Sequence, residues 1–248
     1  MMYMPDIKQR FDQASHSYDS VATVQKQCAE FLVNQWLSQC PQVVPQSILD
    51  LGTGTGYIPE LLLPKFPKTQ LSLNDCSMNM LGQLSKKLPS AANLQFVPGD
   101  FEMLPFDFHE LIISNLALQW AHDLEKLLTN CFLNSNFFAF SCLLQGTFQE
   151  WAALFHQHEL ASPLKVYPEQ AVLEAFLLSL QPMHSVFTTR EFSLEFAGAH
   201  DFMRYLKQLG ASQSMSSFSI QALRKMIKTS RQSLKMTYRV FFGVLVRI

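Results

Sequence analysis

Charge is scarce in this chain. Asp, Glu, Lys and Arg make up 16% of its 248 residues, and the formal net charge is −1. A general nucleic-acid binder is usually basic, so this balance argues against a nucleic-acid partner. No apolar run reaches the roughly 18 residues that a membrane-spanning helix needs, and no membrane partner is expected. Met1 to Asp6 lacks the charged and apolar blocks of a secretory signal. No C-x-x-C pair occurs among the five cysteines, Cys28, Cys40, Cys76, Cys131 and Cys142. An odd count without that spacing argues against a disulfide framework or a zinc site, so no metal is expected and a cytoplasmic setting fits better. Cys131 and Cys142 lie in apolar surroundings and read as core residues. Internal repeats, low-complexity tracts and long linkers are also missing, and the length suits one large α/β domain.

The stretch that organises the chain is Ile48 to Gly56, Ile-Leu-Asp-Leu-Gly-Thr-Gly-Thr-Gly. Ser47 to Leu51 is a short apolar run that reads as a buried strand. Three glycines follow at alternate positions, and Tyr57, Ile58, Leu61 and Leu62 then fall at helical spacing. Strand, glycine turn and helix make the first unit of a nucleotide-binding sheet. Glycine lets the backbone turn sharply and lets a ligand approach it closely. The helix that follows offers unpaired N–H groups. In the dinucleotide pattern G-x-G-x-x-G a pyrophosphate sits on that helix N-terminus. Here the pattern is G-x-G-x-G with Asp50 ahead of it, and an acid there repels a pyrophosphate but suits a cation. S-adenosylmethionine carries a sulfonium and an ammonium. The stretch resembles the first motif of class I S-adenosylmethionine-dependent methyltransferases, D-x-G-x-G-x-G. That resemblance points to Asp50, Gly52, Gly54 and Gly56 as cofactor residues.

The remaining elements fall into place around it. Ile7, Phe11 and Ala14 share a helical face, Ser15 to Ser17 breaks it, and an amphipathic helix covers about 20–38. Residues 1–45 thus read as a helical cap, with Tyr18 beside the break. Gln70 to Asn74 is a second strand, and Asp75 at its end is placed to accept hydrogen bonds from both ribose hydroxyls. Ser77 caps a helix holding Met78, Met80, Leu81 and Leu84. Leu94 to Val97 is strand three. After it, Asp100 suits an adenine amine and Phe101 or Met103 its ring face, although Pro98-Gly99-Asp100 also reads simply as a turn. Phe108 to Ser114 is strand four. Ligands bind beyond the C-terminal ends of such strands, which makes Ser114, Asn115, Gln119 and Trp120 candidate lining; Trp120 reads equally as a core anchor. Leu124 to Phe132 is a helix and Phe137 to Leu143 strand five, completing a cofactor-binding core over 46–145.

Residues 146–248 form the substrate side. Thr147 is a plausible N-cap for the helix of Phe148, Trp151 and Leu154, and Pro168 to Leu180 is a further helix. Val186 to Phe196 and Met236 to Ile248 are strands six and seven. Between them, where a hairpin is expected, an insertion of about 198–233 holds helix candidates at 199–209 and 219–233. It either folds over the cleft as a lid or pads a sheet edge. Arg224, Lys225, Lys228, Arg231 and Lys235 follow one another with no acid between them, as a solvated face or a docking patch for an acidic partner.

Taken together the motifs resemble the malonyl-carrier-protein O-methyltransferases of biotin synthesis, over nearly the whole chain. Arg10-Phe11 through Tyr18-Asp19 is similar to that family's F-x-x-A-x-x-Y-D, and Gln25-Lys26-Gln27 continues it. The most telling stretch is Ser114-Asn115-Leu116-Ala117-Leu118-Gln119-Trp120, joined by Gly146-Thr147-Phe148, Arg204 to Ala211 and Thr237 to Val240. Thr53 stands for a common cysteine, and Asn74-Asp75-Cys76 keeps the acid of the second motif. The resemblance implies a Rossmann-like, mostly parallel seven-stranded sheet with helices on both faces. It implies S-adenosyl-L-methionine as cofactor and malonyl-acyl carrier protein or malonyl-CoA as acceptor, methylated on its free carboxylate. Gly52, Gly54, Gly56, Asp75, Cys76, Asp100, Phe101 and Asn115 then hold the cofactor. Tyr18 closes the cleft as the catalytic residue, Gln119 and Trp120 shape the acceptor side, and Arg204 steers the malonyl carboxylate unless it is a surface helix residue. Two other readings share the cofactor motifs: a small-molecule O- or C-methyltransferase on a free acid or quinone precursor, and an assembly factor that binds a partner without methylating it.

Overall fold

The computed structural model describes residues 4–88, 93–212, 226–227 and 233–247. Its sheet is built from β1 (Ser47–Leu51), β2 (Gln70–Asp75), β3 (Leu94–Pro98), β4 (His109–Asn115), β5 (Ser135–Leu143), β6 (His184–Phe196) and β7 (Leu234–Val246). They lie in the order β3-β2-β1-β4-β5-β7-β6. The first five run parallel, and β7 is antiparallel to both β5 and β6. Strand order reverses between β1 and β4, which opens a crevice beyond their C-terminal ends.

The apolar runs explain the layering. Side chains alternate across a strand, so a strand covered on both faces reads as a nearly continuous apolar run. In β1, Ile48 joins the apolar layer of α3 (Thr23–Gln39), with Leu32 and Trp36. Leu49 and Leu51 join the opposite layer, with Phe138, Phe140 and Leu128 of α6 (Leu124–Leu133). Phe138 and Phe140 are fully buried and stacked at 4.9 Å. Burying each contributes roughly 1.5–3 kcal/mol. The outer strands β3 and β6 are more exposed.

Two expectations change. Thr147 is not the cap of α7 (Gln149–Gln157): Phe148 takes that place, in a left-handed conformation with φ of 55°. The Thr147 hydroxyl instead donates to Arg239 O and accepts from Arg239 N, both at 3.1 Å, and so ties the loop to β7. Nor does the start of the insertion pad a sheet edge alone. Its helix, α9 (Ala199–Gln208), runs into a segment docked on the N-terminal cap formed by α1 (Met4–Ala14) and α2 (Tyr18–Val21). The Ser17 hydroxyl donates to Gln208 O at 2.9 Å, and the Arg10 guanidinium donates to Ser212 O. Gly210 allows the contact, since a Cβ there would come within 2.8 Å of the Phe11 ring. The second helix candidate falls almost wholly outside the described residues, as do Arg224, Lys225, Lys228 and Arg231.

Candidate active site

The glycine turn has three differently used positions. All three glycines have positive φ: 68° at Gly52, 57° at Gly54 and 98° at Gly56. A Cβ on Gly52 would lie 2.3 Å from the Ala117 Cβ, so the turn presses on the loop after β4. Nothing stands within 4 Å of a Cβ on Gly54, whose face is open to the cleft. Gly56 differs from the expectation. Its Cβ would meet Leu84 at 2.1 Å, so it packs the turn onto α5 (Met78–Lys87) and does not line the cleft among the described residues.

Two acids sit against this turn. Asp75 is 8% exposed and accepts from Gly54 N at 2.9 Å and Ser77 N at 2.7 Å. Burial pushes its pKa up to about 6, with those two N–H bonds pulling it down. Asp50 is 1% exposed, beneath the turn, and neither carboxylate oxygen has a hydrogen-bond partner. Burial pushes its pKa up to about 7; the adjoining Thr53 hydroxyl opposes this without making a full hydrogen bond, and Asp75 adds to it. A buried carboxylate left without partner or counter-charge is costly. Asp50 does not line the chamber, so its charge acts from beneath the turn, while Asp75 and the open face of Gly54 suit a ligand that brings positive charge and hydroxyl donors. This arrangement of acceptors and negative charge therefore fits S-adenosylmethionine.

A chamber lined by Gly52, Gly54, Asp75, Cys76, Phe101 and Asn115 opens at this place. Asp100 is not part of its wall. The Asp100 carboxylate accepts from Glu102 N at 2.9 Å and shapes the turn that delivers Phe101. Asn115 donates to Gln25 O at 3.0 Å and accepts from the Ser141 hydroxyl at 2.8 Å, fixing the end of β4 to α3 and β5.

A second chamber lies beside the first, and Phe11, Tyr18, Leu116 and Trp120 line both. Phe11 meets Trp120 edge-on at 5.8 Å, and Tyr18 stacks on Tyr57 at 6.2 Å. Leu116 has φ of 49°, which is rare for a bulky residue. It is held there by Ser141, whose carbonyl and hydroxyl both accept from Leu116 N, at 3.1 and 3.0 Å. Gln119 lines the second chamber. Its amide nitrogen donates to Leu116 O at 2.5 Å, and its amide oxygen is buried without a partner. Arg204 lines neither chamber. It is exposed on α9, where it pairs with Asp201 at 2.9 Å and meets His200 at 3.1 Å. The expected steering role finds no support in that position, because the buried face of α9 carries Phe202, Tyr205 and Leu206 instead.

Sequence reasoning missed the groups that hold the cap over the first chamber. Asp12 accepts from the Ser77 hydroxyl at 2.6 Å and Asn79 N at 3.3 Å. Asp19 accepts from the Thr55 hydroxyl at 2.5 Å and the Tyr57 hydroxyl at 2.7 Å, and pairs with Lys87 at 2.5 Å. Lys26 and Lys87 stand over the Tyr57 ring at 5.2 and 5.4 Å. Both acids thus pin cap residues to the segments that flank Gly54 and Asp75. The signal was present in the Tyr18-Asp19 pair, where an acid directly follows the tyrosine on the cleft.

The sheet order, the glycine turn with its two acids and the twin chambers define a class I S-adenosylmethionine-dependent methyltransferase. A family model described as "Methyltransferase domain" matches residues 48–133. Among solved structures, the plantazolicin methyltransferase in complex with SAH is similar, with a TM-score of 0.57, 13% identity and coverage of 98% of this chain and 96% of that one. Phosphoethanolamine N-methyltransferase 2 of Haemonchus contortus gives a TM-score of 0.58 at 13% identity, over 96% of this chain and 57% of its own. Among curated proteins, a malonyl-acyl-carrier-protein O-methyltransferase from Neorickettsia risticii is 34% identical over 98% of this chain and 99% of its own length. A protein of the same name from a Marinomonas species is 32% identical over 86% and 79%. The chain belongs to the malonyl-acyl-carrier-protein O-methyltransferase family.

Proposed function

We propose that this protein transfers a methyl group to the free carboxylate of a malonyl thioester on acyl carrier protein, in the cytoplasm and as a step of biotin synthesis. The observation that carries the reading is the pair of chambers meeting at Phe11, Tyr18, Leu116 and Trp120, one of them bounded by the glycine turn and Asp75. The names of the relatives support the acceptor, and five free cysteines suit a reducing compartment.

The bound cofactor would supply a methyl group already activated by its sulfonium. Asp75 would hold the ribose hydroxyls, Asp50 would add negative charge beneath the turn, and Phe101 would lie on the adenine. No general base is required of the protein, because a carboxylate with a reference pKa of about 4 is ionised at pH 7. What remains is alignment and exclusion of water. Tyr18 and Trp120 would do this at the shared wall, with Tyr18 held down by its neighbour Asp19.

The test is turnover of the purified protein with S-adenosylmethionine and malonyl-acyl carrier protein, malonyl-CoA or free malonate, read by mass spectrometry. A methyl ester on the carrier-bound malonyl group is expected. Binding of the cofactor with no ester on any of the three would overturn the reading.

A further inference from the structure

Among the described residues, the second chamber is lined by polar side chains but by no charged one. Tyr18, Gln25, Gln119, Tyr167 and Tyr238 line it, and among the described residues no Asp, Glu, Lys, Arg or His does. Gln25 and Gln119 are each 6% exposed, and the amide oxygen of each is without a partner. Tyr238 is 2% exposed, and its hydroxyl lies 2.7 Å from that of Tyr205. Two hydroxyls carry two protons, and this contact uses one. Gln25 adjoins both tyrosines. An amide presents either its oxygen or its NH2 by turning over, so Gln25 can offer a donor to an incoming anion.

We propose that Gln25 and Tyr238, backed by Tyr205, receive the carboxylate of the acceptor through hydrogen bonds from uncharged donors, and that Arg204 takes no part. The inference rests on the methyl-transfer reading above. A carboxylate leaving water must be hydrogen-bonded, and such bonds are charge-assisted even when the donor is neutral. A neutral donor also draws less charge from the attacking oxygen than a cation would. Burial holds the Tyr238 hydroxyl protonated far above neutral pH, so it remains a donor. Two cations among the described residues are turned elsewhere. Lys165, between two residues of the wall, reaches to the carbonyls of Gln119 and Ala121, and Arg204 faces outward with Asp201.

The experiment measures binding without turnover. Malonyl-carrier protein and acetyl-carrier protein, which lacks the carboxylate, are titrated calorimetrically into enzyme saturated with S-adenosylhomocysteine. The wild type should prefer the malonyl form. Gln25→Leu and Tyr238→Phe should each cut that preference about tenfold or more, the loss expected for one hydrogen bond to a charged group. Affinity for the acetyl form should stay within about twofold of the wild type, whereas a merely structural lesion weakens both alike. Arg204→Ala should leave both affinities as they are. The proposal falls if the wild type has no malonyl preference, if the preference survives in Gln25→Leu, or if it collapses in Arg204→Ala. Should Tyr238→Phe fail to fold, Gln25→Leu decides alone. Failure of the methyl-transfer reading shows separately, as a wild type that binds malonyl-carrier protein yet forms no ester.

Discussion

Asp19 is the residue whose removal should release the cap. Asp19→Ala deletes two hydroxyl bonds, from Thr55 at 2.5 Å and Tyr57 at 2.7 Å, and the ion pair to Lys87 at 2.5 Å. The Asp19 side chain is 37% exposed and that of Lys87 29%, so solvent screens the ion pair. Such a pair contributes about 0.5 kcal/mol. Hydroxyl bonds to a half-exposed carboxylate contribute about 1 kcal/mol each. Cap closure should therefore weaken by about 2–3 kcal/mol, which raises the opening constant about 30- to 150-fold. Native-state hydrogen exchange reads this directly. Amides between Ile7 and Val21 should exchange faster by that factor, while those of β4 keep wild-type rates. The pH dependence has a definite sign. Burial raises the Asp19 pKa, but the hydrogen bonds from Lys87, Thr55 and Tyr57 outweigh it and the net shift is downward. Closure is thus fully stabilised above the ordinary carboxylate range and is lost as pH falls through the depressed value. Unchanged cap exchange in Asp19→Ala would refute the latch, and equal acceleration in β4 would show global destabilisation in its place.

Asp75→Ala should weaken S-adenosylmethionine binding by at least tenfold in a folded protein, since a hydrogen bond to a charged acceptor contributes about 1.5–3 kcal/mol; calorimetry checks it. The pKa values of Asp75 and Asp50 are raised to about 6 and about 7, so the ligand-free protein binds more protons than its unfolded chain between about pH 4 and 7. Its melting temperature should fall as pH rises through that window, while cofactor affinity rises, with protons released on binding near pH 6.5. Gly56→Ala should cost about 1–3 kcal/mol in thermal or urea unfolding, because φ is 98° and Leu84, fully buried, cannot move from a Cβ 2.1 Å away. Reversing Arg224 and Lys228 to Glu should raise KM for malonyl-carrier protein and spare malonyl-CoA, with added salt mimicking the change; equal effects on both acceptors would count against carrier docking.

Most of the fold was legible because its signals are local. An apolar run stopped by glycine marked β1 at Ser47 to Leu51, and Ser77 was readable as a cap since its hydroxyl accepts from Met80 N three residues on. The same rule failed at Thr147. There a residue distant in sequence, Arg239, engages both functions of the hydroxyl, so it is drawn to the strand backbone and not to the helix start. The left-handed Leu116 was invisible for a related reason. The Ser141 partners that hold that conformation come from the neighbouring strand, and no residue-type preference announces it.

At the site, the structure places several of the expected side chains away from the two chambers. Asp100 has the chemistry that an adenine amine needs, but the turn reading explains its position, since Glu102 N donates to its carboxylate at 2.9 Å. Gly56 was grouped with Gly52 and Gly54 by pattern, whereas the demand at that position comes from Leu84 of the next helix. An anionic acceptor invites a cation, and Arg204 is the one that the family resemblance offers. The periodicity of α9 already argued against it. Phe202, Tyr205, Leu206 and Leu209 recur at helical spacing and are buried, which turns Arg204 outward with Asp201 and Lys207. Charge balance points the same way. A guanidinium in the second chamber would attract the carboxylate but also repel a sulfonium brought to the shared wall, whereas Gln25 and Tyr238 impose no such conflict. A site that joins an anionic acceptor to a cationic donor can let the two reactants neutralise each other and keep the described wall of its acceptor chamber uncharged.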